Sequence, residues 1–162
     1  MQKFLFLFFC ILLSACKFKP NLQEKGTAFI QGIWEEEPVD FQDSLIQYTR
    51  QQFRFTCDSV YITLETKAKE NYYPDSCFAN GSWKEYAKGN YVVSHDTLYI
   101  LSTFTNSKFK QKLSGCYRIG QYLPSFVIEK NTNNKLELKS LQQHTPLTLL
   151  LKERIKCVQQ PL

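Results

Sequence analysis

From residue 29 onward, apolar and polar positions alternate along most of the chain with a period of two, the spacing of strands buried on one face. Residues 29–35 open that pattern as a first strand. Residues 53–56 and 60–64 read as a hairpin around Asp58-Ser59, with Val60, Ile62 and Leu64 on one face. Residues 91–93 and 97–101 make a second hairpin, turning at Ser94-His95-Asp96. The clearest pairs 126–129 with 136–138 through Asn131-Thr132-Asn133-Asn134, where Asn tolerates the left-handed conformations that tight turns require. Phe109, Gln111 and Leu113 alternate with Lys108, Lys110 and Lys112, which predicts a strand with one basic, wet face. Residues 147–151 give a last, largely buried strand. Helical spacing shows only at Phe41, Leu45 and Tyr48, and residues 67–83, with Pro74 and Gly81, read as a long loop pinned by Cys77. Eight or so short strands joined by turns predict an all-β fold, an antiparallel sandwich or a closed barrel.

The N-terminus breaks this pattern. Lys3 precedes an unbroken run of ten apolar residues, 4–13. That run is far short of the roughly 20 needed to cross a bilayer core, and a charged start followed by a short apolar stretch is the layout of a secretory signal. Its end, Leu13-Ser14-Ala15-Cys16, resembles the lipobox of bacterial lipoproteins. The resemblance implies cleavage before Cys16, acylation of its thiol, and anchorage to a lipid bilayer; two or more acyl chains make such an anchor stable. No Asp follows Cys16 and no acidic run of the surface-export kind is present, so the implied address is the outer membrane, facing the periplasm. The division expected is signal peptide 1–15, lipid anchor and tether 16–27, and one domain 28–162.

Composition narrows the classes. Once Lys3 is removed the charge is about +4 and dispersed, too mild to argue for nucleic acid. Aromatic residues make up 15% of the chain, which favours strands and an aromatic interior. Of six cysteines, Cys10 leaves with the signal and Cys16 takes lipid. Cys57, Cys77, Cys116 and Cys157 remain, an even number in an oxidising compartment, and predict two disulfides. Three connectivities are open. Cys57–Cys77 with Cys116–Cys157 is favoured, because the first closes a local loop and the second ties the last strand to an earlier one. No C-x2-C unit is present, so a zinc site is disfavoured.

Gly32-Ile33-Trp34 resembles the G-x-W signature of lipocalin-like barrels, whose Trp packs across the barrel floor. Gly89-Asn90-Tyr91 with Asp96-Thr97-Leu98-Tyr99-Ile100 resembles hairpins of small lipocalin-like lipoproteins of the Bacteroidetes. Phe55-Thr56-Cys57-Asp58-Ser59, residues 83–89 and Ser114-Gly115-Cys116-Tyr117-Arg118-Ile119-Gly120 resemble one group of them more closely, sometimes labelled fumarate hydratase. That label fails on residues. The G-S-S-x-M-P-x-K-x-N loop of one fumarase class needs a Met where this chain has only Met1, and disulfide-prone thiols are poor iron–sulfur ligands. The resemblance implies a single antiparallel lipocalin-like barrel.

Candidate chemistry is sparse. Glu35, Glu36, Glu37, Asp40 and Asp43 lie within nine residues, but without the Asn and Gly offsets of a calcium loop they read as a solvated edge. Ser94, His95 and Asp96 are sequence neighbours in a turn, whereas catalytic triads are assembled from distant segments. Lys108, Lys110 and Lys112 suit headgroups, an acidic partner, or a strand edge kept from aggregating. Trp34, Phe55, Tyr61, Trp83, Tyr86, Tyr91 and Tyr99 either line a cavity or fill the barrel. With no nucleophile–base pair, metal cluster or phosphate loop, a non-enzymatic protein without cofactor is expected. Two functions follow: a tethered barrel binding a small apolar or aromatic ligand, or a structural or interaction protein of the envelope with a filled barrel.

Overall fold

Alternation carries into nine antiparallel strands in the computed structural model, which describes residues 22–161. They are β1 (Gly32–Glu36), β2 (Gln47–Thr56), β3 (Ser59–Ala68), β4 (Ser82–Ser94), β5 (Thr97–Thr105), β6 (Gln121–Tyr122), β7 (Ser125–Asn131), β8 (Lys135–Ser140) and β9 (Pro146–Arg154). β6 pairs only with Ser102 and Thr103 of β5. The other eight form a ring in chain order, with β5 beside β7 and β9 returning to β1, so the barrel is closed and leaves no long open edge. This is the expected single antiparallel barrel. Residues 1–15, expected to be a signal peptide, and Cys16 lie outside the described residues.

The three hairpins stand where the alternation put them, and each is longer. β2 and β3 stay in register from Gln47↔Ala68 to Thr56↔Ser59, so the turn is Cys57-Asp58, one residue earlier than expected. Residues 108–113 are not a strand. The Asn106 carboxamide oxygen accepts hydrogen bonds from the backbone N–H of Lys108 (2.9 Å) and Lys110 (3.1 Å), and this local side-chain pairing winds the chain into a turn instead of a ladder. The helix suggested by Phe41, Leu45 and Tyr48 reduces to one 3-10 turn, Gln42–Ser44, and Tyr48 belongs to β2. The long loop is confined to residues 69–81 and carries the short helix α1 (Asp75–Phe78). Residues 22–27, expected within the tether, instead pack on the barrel: Leu22 bridges Pro161, Gln23 donates to Ser59 Oγ at 2.9 Å, and the Thr27 N–H donates to the Tyr91 hydroxyl at 3.3 Å.

Both favoured disulfides are wrong in pairing, though all four cysteines are bridged. The bonds are Cys57–Cys157 and Cys77–Cys116. Closure of the ring explains the first. β1 lies between β2 and β9, so the turn after β2 meets the segment after β9 although 100 residues separate them in sequence. The second ties the β3–β4 loop to the loop after β5.

The two ends of the barrel differ. One carries the tight turns at 57–58, 95–96 and 132–134; the other carries the longer connections 37–46, 69–81, 106–120 and 141–145. The core fills the tight-turn end, where Trp34, Phe53, Phe55, Leu98, Leu136 and Leu149 are wholly buried. Gly32 admits the chain into β1 there. Its φ is 153°, and a Cβ would stand 2.5 Å from the Glu153 carbonyl oxygen, so no larger residue fits in front of Trp34. Trp34 donates Nε1–H to the Ile30 carbonyl at 2.8 Å, and the Arg154 guanidinium lies 5.4 Å from its ring centre.

A buried polar clasp seals the same end. Gln31 accepts from the Cys57 N–H and donates to the Cys57 carbonyl, both at 2.7 Å. The Tyr91 hydroxyl donates to that carbonyl at 2.8 Å and accepts from Gln31 Nε2 at 2.7 Å. Cys57 has φ 53°, so these bonds and its disulfide hold a turn that the residue alone would not favour. Burial pushes the Tyr91 phenol up to about 12, further above the pH range in which it serves as a donor.

Candidate functional site

Above the packed layer the inward positions turn polar and the barrel opens. An open cavity of about 830 Å3 lies at the long-loop end. Leu64, Phe126 and Leu147 form an apolar floor, and Glu36, Gln51 and Tyr122 form a hydrogen-bonding wall. The wall follows from strand phase. Glu36 is two residues beyond Trp34, and Gln51 two before Phe53, so both side chains face inward one pleat above the core.

Hydrogen bonds connect this wall. Glu36 Oε2 accepts the Gln51 backbone N–H at 2.8 Å, and the Tyr122 hydroxyl donates to Gln51 Oε1 at 3.3 Å. On β4, Glu85 pairs with Leu64, which pairs with Gln51; it is 5% exposed and faces Arg118 from the loop after β5. Arg118 Nε and Nη2 reach the carboxylate, the closest approach being 2.6 Å, and the Arg118 backbone N–H adds a third donor at 3.1 Å. Arg118 also lines the cavity. Its loop is held by Cys77–Cys116 and by Lys112, whose Nζ donates to the carbonyls of Cys116 and Arg118.

The two mouth carboxylates titrate in opposite directions. Burial alone would push Glu85 up, but the hydrogen bonds and charge of Arg118 outweigh it and hold the carboxyl below its usual range. Burial raises Glu36, and the Gln51 N–H and the charge of Arg50 only partly oppose it. Ionised Glu85 therefore adds stability that is present above its unfolded pKa and is lost as pH falls through its lowered folded value. Glu36 has the reverse sign: ionisation costs stability as pH rises from its unfolded to its raised folded value. Glu36→Gln should accordingly raise the urea midpoint at pH 7 and lose that advantage below about pH 4.5, the ordinary value for a glutamate. Arg118→Ala should lower the unfolding free energy at pH 7 by about 2 kcal/mol, and the urea midpoint with it, less than for a fully buried pair because Arg118 is half exposed. A titration in which both variants move the same way would contradict this assignment.

Of the seven aromatic residues expected to line or fill the barrel, none lines the cavity. Trp34, Phe55 and Tyr91 fill the closed end. Trp83 is buried at the rim, stacked on Tyr117 with ring centres 4.7 Å apart and edged by Tyr73 at 5.3 Å. Tyr61, Tyr86 and Tyr99 lie on the outer wall: Arg54 sits 4.1 Å over the Tyr61 ring, Phe109 packs on Tyr61 and Tyr86, and Tyr99 is 43% exposed. They alternate with the inward series Ile62, Ala87 and Ile100, which sets their phase.

The acidic run is a solvated edge except at Glu36. Glu35 pairs with Lys152 and Glu37 with Lys135, at 3.4 and 3.7 Å, and Asp43 accepts from Tyr48. His95 occupies a turn with φ 55°, its ring beside Ser94 Oγ. Among the described residues, no group of three His, Cys, Asp or Glu side chains is placed to hold a metal ion. Comparison of the chain with protein families, curated proteins and solved structures gave no match.

Proposed function

We infer that this protein is a tethered carrier or sensor of the bacterial envelope that holds a small molecule in the mouth of its barrel. The observation that carries this reading is the contrast between the two ends. One is packed and clasped, whereas the other keeps a cavity of about 830 Å3, within the size range of small-molecule sites. The alternative of a filled barrel with no ligand has the packed end in its favour but leaves that cavity unused. An apolar floor beneath a polar wall suits an amphipathic ligand better than the wholly apolar or aromatic one suggested by composition.

The lipobox supplies the rest. With Cys16 acylated, Leu22 follows the anchor by six residues, a reach of roughly 20 Å. Leu22 and Gln23 lie beside Pro161 and Ser59 at the closed end. A barrel tethered there presents its mouth away from the bilayer, toward the periplasm if the anchor is in the outer membrane. Native mass spectrometry of the full-length protein extracted from its own membranes tests the binding role. A recurring small bound mass is expected, and it should be absent from Gln47→Trp, a substitution at the exposed lip of the cavity. Empty wild-type protein would count against the binding role.

A further inference from the structure

The carboxylate of Glu36 is the one charged group of the cavity wall that has no ion-pair partner among the described residues. Arg118, the other charge at the cavity, is spent on Glu85 through three side-chain contacts. Arg50, the nearest cation on the neighbouring strand, alternates with the inward Gln51, and its Nη2 donates to the main-chain carbonyl of Glu36 at 3.1 Å, not to the carboxylate. Glu36 Oε2 accepts the Gln51 N–H, which leaves Oε1 without a hydrogen bond among the described residues while its residue lines the cavity. Tyr122 approaches the same wall but directs its proton to Gln51. A half-buried carboxylate with an open acceptor, facing water over an apolar floor, is a receptor for a donor that carries charge.

Resting on the small-molecule reading of the mouth, we propose that the ligand is an amphipathic amine, whose protonated nitrogen pairs with Glu36 while its apolar part lies on Leu64, Phe126 and Leu147. The retained cost of an ionised, partly desolvated Glu36 fits such a role, because the incoming cation relieves it.

Octylamine, octan-1-ol and octanoate share a chain length and differ in head group, so their affinities separate the floor from the wall. Calorimetric titration of the full-length, disulfide-bonded protein should rank the amine about tenfold above the alcohol, the ratio that 1.4 kcal/mol gives, and octanoate last. Glu36→Gln should bring the amine level with the alcohol and leave alcohol binding unchanged. Glu35→Gln, which alters the outward neighbour, should keep the full amine preference. Equal binding of all three probes, tightest binding of octanoate, or an amine preference that survives Glu36→Gln would overturn the proposal while the cavity reading stands. Binding of none of the three would remove both.

Discussion

Trp34→Ala is expected to lower stability by about 4–5 kcal/mol, near the top of the range for removing a buried aromatic side chain. Three effects converge on this residue. Its ring is wholly buried between the strands at the closed end, so truncation opens a void that the closed ring of β-strands collapses around only partly. The Ile30 carbonyl, which accepts its Nε1–H at 2.8 Å, loses that partner. The Arg154 guanidinium, 5.4 Å from the ring centre, loses its seat while it still ties Phe29 and Asn133 by their carbonyls. Urea unfolding read by far-ultraviolet circular dichroism measures the change. A loss below about 1 kcal/mol would mean that the closed end is not built on this residue.

The second large effect belongs to the Cys57–Cys157 bond. A cross-link closing about 100 residues removes some 4–5 kcal/mol of chain entropy from the unfolded state, and Cys77–Cys116, which spans 39, removes about 4. The double variant Cys57→Ala, Cys157→Ala should therefore lose the full amount. It should also loosen the clasp, because the main chain of Cys57 receives Gln31 and Tyr91 and holds a φ of 53°. Losing Cys77–Cys116 should act at the other end, loosening the loop that presents Arg118 while the clasp stays formed. Non-reduced peptide mapping checks the premise: it should recover Cys57 linked to Cys157 and Cys77 linked to Cys116. Recovery of Cys57–Cys77 would contradict the fold as described.

The hairpins are legible because local pattern marks them: Leu98 and Ile100 alternate with Tyr99, and a polar run separates the apolar stretches of β7 and β8, although Asn133 and Asn134 do not take the left-handed conformation expected of them. The pairing of the cysteines is not, since proximity around a closed ring has no counterpart in sequence distance. Strand phase is legible as well. If Val60, Ile62 and Leu64 face inward, Tyr61 faces out; if Trp34 packs across the floor, Glu36 faces in. Glu36 differs from Glu35 and Glu37 by pleat alone. Lys108, Lys110 and Lys112 form no strand for a physical reason. Their alternation is genuine, yet Asn106 captures two backbone N–H groups and turns the chain before a ladder can form. The partnership of Glu85 with Arg118 depends on a loop folded over the mouth, 33 residues away in sequence, and no local signal announces it.

The mouth as a small-molecule site is the central claim, and backbone amide shifts from nuclear magnetic resonance during titration with octan-1-ol test it most directly. The neutral probe engages the cavity without reference to charge. Shifts should concentrate at Gln51, Leu64, Tyr122 and Phe126, around the cavity of about 830 Å3, with Trp34 and Tyr91 at the clasped end left in place. Shifts absent from the mouth, or scattered over the outer wall at Tyr61 and Tyr99, would contradict it.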